Sequence, residues 1–140
     1  MAFNGKLLEL KTNGTWVEFP LKYVKAESYK VTPDQRMESS ANRAASGVLV
    51  RTTYSHKAST IDFTTPTVDN NDVATINGLF SAAYTDSLER KLEARYYNPA
   101  TDSYKTGTFY VPDIDFDILR VDKSTNTIHY AGIRFALIEY

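Results

Sequence analysis

The sequence predicts a mainly β domain, a β-sandwich or rolled β-barrel of seven to eight strands with one α-helix against it. Three observations lead there. Ten tyrosines and seven phenylalanines in 140 residues favour strands, because aromatic side chains fit a pleated, half-buried surface. Alternation of period two recurs along the chain, most clearly where Leu92, Ala94 and Tyr96 interleave with Lys91, Glu93 and Arg95, the mark of a strand with one wet face. Only one stretch, about residues 70–85, repeats its apolar residues at helical spacing. At this length a single domain over 1–140 is expected, large enough to bury about two-thirds of the surface its unfolded chain exposes.

The elements follow in order. Gly5 to Lys11 is a first strand, Asn13-Gly14 a strong two-residue hairpin signal, and Trp16 to Phe19 the returning strand, stopped by Pro20. Trp16 reads as a half-buried core aromatic before it reads as a ligand platform. Val48 to Tyr54 and Ala58 to Thr64 are two strands rich in β-branched residues, joined by a short turn at Ser55-His56-Lys57. Asp69 to Asp72 supplies N-cap oxygens and negative charge for the helix. Val73, Ile76, Leu79, Phe80, Ala83 and Tyr84 form its apolar stripe, which covers a sheet face or plugs a barrel end. Gly78 weakens this helix by about 1 kcal/mol relative to Ala, which implies a close neighbour there. Then comes a long hairpin around Tyr97-Asn98-Pro99 to Tyr104, resuming at Thr108 to Val111. Ile114 to Ile118 alternates strictly and continues to Val121 with a bulge, Asp122 to Asn126 is a turn, and Thr127 to Tyr140 is a final strand.

One segment breaks the pattern. After Tyr23-Val24 the chain turns polar and irregular through Ser46, with Tyr29, Val31 and Met37 the only large apolar interruptions. It reads as a long loop, about 25–46, and loops of that length are usually functional or disordered. If it is ordered, about 20 residues of backbone cost on the order of 20–40 kcal/mol in entropy. Apolar burial alone would need about 800–1600 Å² to offset that. The expectation is an assembly arm lying on a neighbouring subunit through Tyr29, Val31, Met37 and Arg43; the plainer alternative is a meandering surface loop.

Chemistry is sparse. Sixteen basic and 17 acidic residues give a net charge of −1, without the basic excess of a non-specific nucleic-acid binder. The chain lacks cysteine, so disulfides and thiolate catalysis are excluded. No secretory signal stands at the N-terminus, and no apolar run approaches the roughly 20 residues of a membrane span. With two histidines, His56 and His129, on separate elements, a catalytic zinc site would have to be completed by carboxylates. Asp113, Asp115 and Asp117 would share one strand face and repel one another, and they lie outside any calcium-loop pattern; they read as a solvated or lumen-facing acidic edge. Any of the 17 acids could form a carboxylate pair, but nothing singles one out, and the chain lacks GxSxG, P-loop, GxGxxG and HExxH motifs. Neither an enzyme nor a cofactor or metal is expected.

Three runs carry a resemblance: Arg95-Tyr96-Tyr97-Asn98-Pro99, Thr106 to Asp113, and Ile133 to Glu139. With Asn42 to Gly47 ahead of a strand and a helix midway, they resemble small tail proteins of long-tailed bacteriophages and prophages over roughly the last two-thirds of the chain. The chain departs from that group in having His129-Tyr130 where a tryptophan would precede the closing strand. The resemblance implies a tail-tube or distal-tail (baseplate) component in the virion, made in the cytoplasm of the bacterial host. It implies a homo-oligomeric ring, a hexamer, that contacts other tail proteins and passes DNA without binding it specifically. In such a ring Asp115 and Asp117 would face the lumen. The other class of reading is a soluble β-barrel that binds a ligand or glycan among Trp16, Tyr96, Tyr97, Phe109 and Tyr110.

Overall fold

A computed structural model describes residues 3–43 and 45–140, with side chains outside 34–43 and 50–57. The chain is a mainly β protein with two antiparallel sheets and one helix, in the manner of a β-sandwich. The larger sheet has the strand order β2-β1-β7-β8-β11-β4-β3, with β6 also pairing to β7. Its strands are β1 (Leu8–Thr12), β2 (Thr15–Glu18), β3 (Lys30–Arg43), β4 (Leu49–Thr64), β6 (Tyr84–Asp86), β7 (Lys91–Asn98), β8 (Ser103–Tyr110) and β11 (Arg134–Glu139). The smaller sheet runs β5-β10-β9, from β5 (Val68–Asp69), β10 (Thr127–Tyr130) and β9 (Ile118–Asp122). The end strands β2 and β3 of the large sheet are not paired with each other, so it is open rather than a closed barrel.

The first hairpin turns at Asn13 and Gly14, both at positive φ, as a two-residue turn with the twist of its strands requires. Helix α1 (Asn70–Ala83) begins at a reciprocal cap: the Asp69 carboxylate accepts from the Asp72 N–H at 2.9 Å, and Asp72 accepts from the Asp69 N–H at 3.4 Å. Its stripe buries Ile76, Phe80 and Ala83, and Val73, Leu79 and Tyr84 pack at the margin. The helix ends one residue before Tyr84, where β6 starts. A closed circuit of rings fills the space beneath it: Phe19, Phe63, Phe135 and Phe80, with successive centroids 5.1, 5.6, 5.3 and 5.7 Å apart. Gly78 differs from expectation. A Cβ there would meet nothing, so no close packing explains that glycine.

Four expectations are corrected by the backbone. The segment 25–46 is not a loop beyond Lys30; it is β3, a 14-residue strand paired antiparallel with β4. Its alternation is illegible because the register shifts three times, between Thr32 and Gln35, Arg36 and Glu38, and Glu38 and Ser40. Each irregularity changes which face the next residue takes. Ser55-His56-Lys57 is not a turn but the middle of the 16-residue β4. The run before Ile118 is not a strand: residues 112–117 are irregular as the chain crosses from one sheet to the other, and at its end the Asp117 carbonyl accepts from the Ala131 N–H at 2.9 Å.

The closing stretch is two strands in different sheets rather than one. Between them Ile133 accepts from the Thr65 N–H at 2.9 Å, and its own N–H donates to Thr65 Oγ1 at 3.0 Å. Gly132 sits so close to this crossing that a Cβ would lie 2.7 Å from the Thr65 carbonyl oxygen.

Candidate functional site

The feature that stands out from the packed body is the β3–β4 hairpin. Near its base it is part of the large sheet: β4 pairs with β11 from Thr64 to Thr60 and with β3 on its other side. At Ser59 the sheet forks. The Ser59 N–H donates to Glu139 Oε1 at 2.8 Å, so a carboxylate takes the place of the next ladder carbonyl. The Ser59 hydroxyl shares a hydrogen bond with the Tyr96 hydroxyl at 2.8 Å, and Ser59 is fully buried. Beyond that point β11 turns to β8, where the Tyr140 N–H donates to the Thr108 carbonyl. From there outward β4 pairs with β3 alone, up to Arg43 opposite Leu49.

Tyr29 and Val31 sit at the base. Tyr29 stacks on Phe63 at 6.0 Å and donates to the Leu7 carbonyl at 3.4 Å, and both residues pack against the core. Burial, with Tyr96 nearby, pushes the Tyr29 hydroxyl well above the ordinary phenol range. These two proposed contact residues therefore use their apolar surface within their own chain. Met37 and Arg43 lie on the outer part of β3, and their side chains are outside the described residues. The backbone of the segment is paired in cis with β4. At the tip, Val48 and Leu49 are 62% and 47% exposed.

A second apolar surface lies on the smaller sheet. β9 is an edge strand, bulged opposite the His129–Tyr130 step of β10. Phe116, Ile118, Leu119 and Val121 are 43–60% exposed there. Asp115 and Asp117 are exposed beside them on the irregular crossing, and Asp113 pairs with Arg90 at 2.8 Å. The sequence carried a signal of this surface: in Ile118-Leu119-x-Val121 apolar residues fall on both faces of one strand, which an ordinary wet-faced strand avoids. Ser59 and Glu139 carried none, since a serine and a glutamate in strands are unremarkable until the fork brings them together.

The aromatic residues suggested as a ligand lining are divided between faces. Tyr96 and Phe109 are buried in the core, edge to face at 5.8 Å. Trp16, Tyr97 and Tyr110 lie on the opposite face of the sheet, where Trp16 stacks over the Arg95 guanidinium at 4.8 Å. Arg95 in turn holds Glu9 through two hydrogen bonds of 3.1 and 2.9 Å. The described residues enclose no ligand-sized cavity and hold no cluster of three metal-ligating side chains. His56 lies on the outer part of β4, and His129 sits on β10 between Asp69 and Arg120. No helix among the described residues is long and apolar enough to cross a membrane.

No curated protein and no solved structure matches the chain. The family model that does match spans residues 1–140, and the chain belongs to that family, a family of unknown function designated DUF6711.

Proposed function

We propose that this chain is a self-assembling structural subunit, a ring-forming component of a long-tailed bacteriophage tail, either of the tube or of its distal baseplate end. The observation that carries this reading is the β3–β4 hairpin, continued past Ser59 as a ladder of two strands that pair only with each other among the described residues. A hairpin alone in water is marginal. Two strands of 14 and 16 residues are an expensive structure to maintain unless their outer part meets a partner. The likeness of residues 95–99, 106–113 and 133–139 to phage tail proteins supplies the class of partner: further copies of the same chain, in a hexameric ring, and other tail proteins. Head-to-tail contacts between identical subunits close into rings or extend into tubes. The function is mechanical, with no catalytic group, cofactor or metal assigned to it. Asp115 and Asp117 are exposed and close in sequence to two further acids, Asp113 and Asp122; facing a lumen they would repel passing DNA without binding it.

Light scattering coupled to size exclusion, with negative-stain micrographs of the same fractions, tests this. Rings or stacked tubes are expected, and a protein that stays monomeric to the highest concentration reached overturns the reading. The lumen assignment has its own check. Asp115→Lys with Asp117→Lys in a phage carrying this chain is expected to impair DNA ejection; unimpaired ejection removes it.

A further inference from the structure

Two exposed apolar surfaces lie on the described residues of this chain, and the stretches of sequence that carry them have opposite net charge. The hairpin tip exposes Val48 and Leu49. Between residues 33 and 58 the sequence has four basic residues (Arg36, Arg43, Arg51, Lys57) and two acidic ones (Asp34, Glu38), a balance of +2. The β9 edge exposes Ile118, Leu119 and Val121. From 113 to 123 the sequence has four aspartates against Arg120 and Lys123, a balance of −2. In sequence the two stretches are therefore of opposite net charge, although Asp113 is paired with Arg90.

The two cannot meet within one chain. β4 runs from the tip at Leu49 to Thr64, 16 residues, which at about 3.3 Å per residue is about 50 Å. The smaller sheet begins four residues past the Thr64 end, at Val68. Tip and β9 edge therefore lie toward opposite ends of the longest strand.

We infer that the β9 edge of one copy receives the hairpin tip of the next. The inference rests on the assembly reading above and adds the receiving surface. The contact is heterologous, patch to different patch, and so propagates from copy to copy instead of stopping at a symmetric dimer. The bulge at β9 disrupts the ladder that continuous strand addition would extend. Side-chain packing of Val48 and Leu49 against Ile118, Leu119 and Val121 thus carries the contact, with the opposite charges setting orientation.

The test uses two full-length variants: one with Leu119→Asp and Val121→Asp on the edge, the other with Val48→Asp and Leu49→Asp at the tip. All four sites are exposed, so both variants are expected to keep the wild-type thermal melt within a few degrees; if the edge pair unfolds, Leu119→Ser with Val121→Ser replaces it. Each variant alone is expected to run as a 15.8 kDa monomer where wild type assembles. Mixed one to one, the edge variant still has its tip and the tip variant its edge. A single contact forms, and the apparent mass rises to twice the monomer and stops there. If either variant alone assembles like wild type, or the mixture stays monomeric, the inference is overturned and the assembly reading stands. If wild type itself never assembles, both fall.

Discussion

Glu9 shows how a charge is kept inside this sheet. It is 1% exposed yet lies on the side of β1 away from the core, covered by Arg95 and, above that, the Trp16 ring. The fork of two hydrogen bonds supplies what water would have given a carboxylate. Arg95 keeps about a third of its side chain in solvent, so the pair is worth less than a fully buried one. Glu9→Ala is expected to lower stability by about 2 kcal/mol in urea denaturation, short of the roughly 3–5 of fully buried pairs. Glu9→Leu combined with Arg95→Met should recover most of that loss.

Two glycines give opposite signs. Gly78→Ala, in open space on the helix, should stabilise by about 0.5–1 kcal/mol. Gly132→Ala would press on the Thr65 backbone and should destabilise by about 1–3 kcal/mol. Melting temperatures of the two variants check both. Tyr29 sets an alkaline limit. Its hydroxyl titrates higher folded than unfolded, so its contribution is intact below about pH 10 and is lost as pH rises through the folded value. Stability should fall above pH 10, and Tyr29→Phe should flatten that fall.

Among the elements, the helix and the hairpin base are held in different ways. The helix depends on packing: Phe80 contacts Phe19 and Phe135, and Phe80→Ala should cost about 3–5 kcal/mol. The hairpin base adds polar contacts at a fork to the packing of Tyr29 and Val31 on the core. Removing the Glu139 carboxylate takes away the acceptor 2.8 Å from the Ser59 N–H, and a hydrogen bond to a charged group is worth about 1.5–3 kcal/mol. Glu139→Ala should therefore speed amide exchange at residues 59–64 and 30–32 while leaving α1 protected; uniform acceleration across the chain would mean that the fork has no local role. Glu139→Gln, which keeps an acceptor oxygen, should change exchange little.

At the scale of the molecule, the body and the projecting hairpin are separable. Ladder pairs at Lys30–Thr32 and Thr60–Asp62 belong to the body; those further out do not. Replacing residues 34–57 with Asn-Gly should leave a body that unfolds cooperatively near the wild-type temperature and has lost self-association. Retained oligomers would place the assembly contacts elsewhere.

The sequence by itself determined the β class, the first hairpin at Asn13-Gly14, the helix with its cap and apolar stripe, and the alternation of Lys91–Asn98. Each of these buries one face, and burial writes a period into the residues that make it. Only the tertiary structure decided that residues 30–43 are a strand, that 49–64 is unbroken, that the closing stretch divides between two sheets, and that Tyr29 and Val31 face their own core. Past the fork the hairpin is a two-stranded ladder, and three register shifts scramble the alternation of its first strand. Its order comes from backbone hydrogen bonds, which every residue type makes except proline at its nitrogen and which leave little trace in side-chain identity.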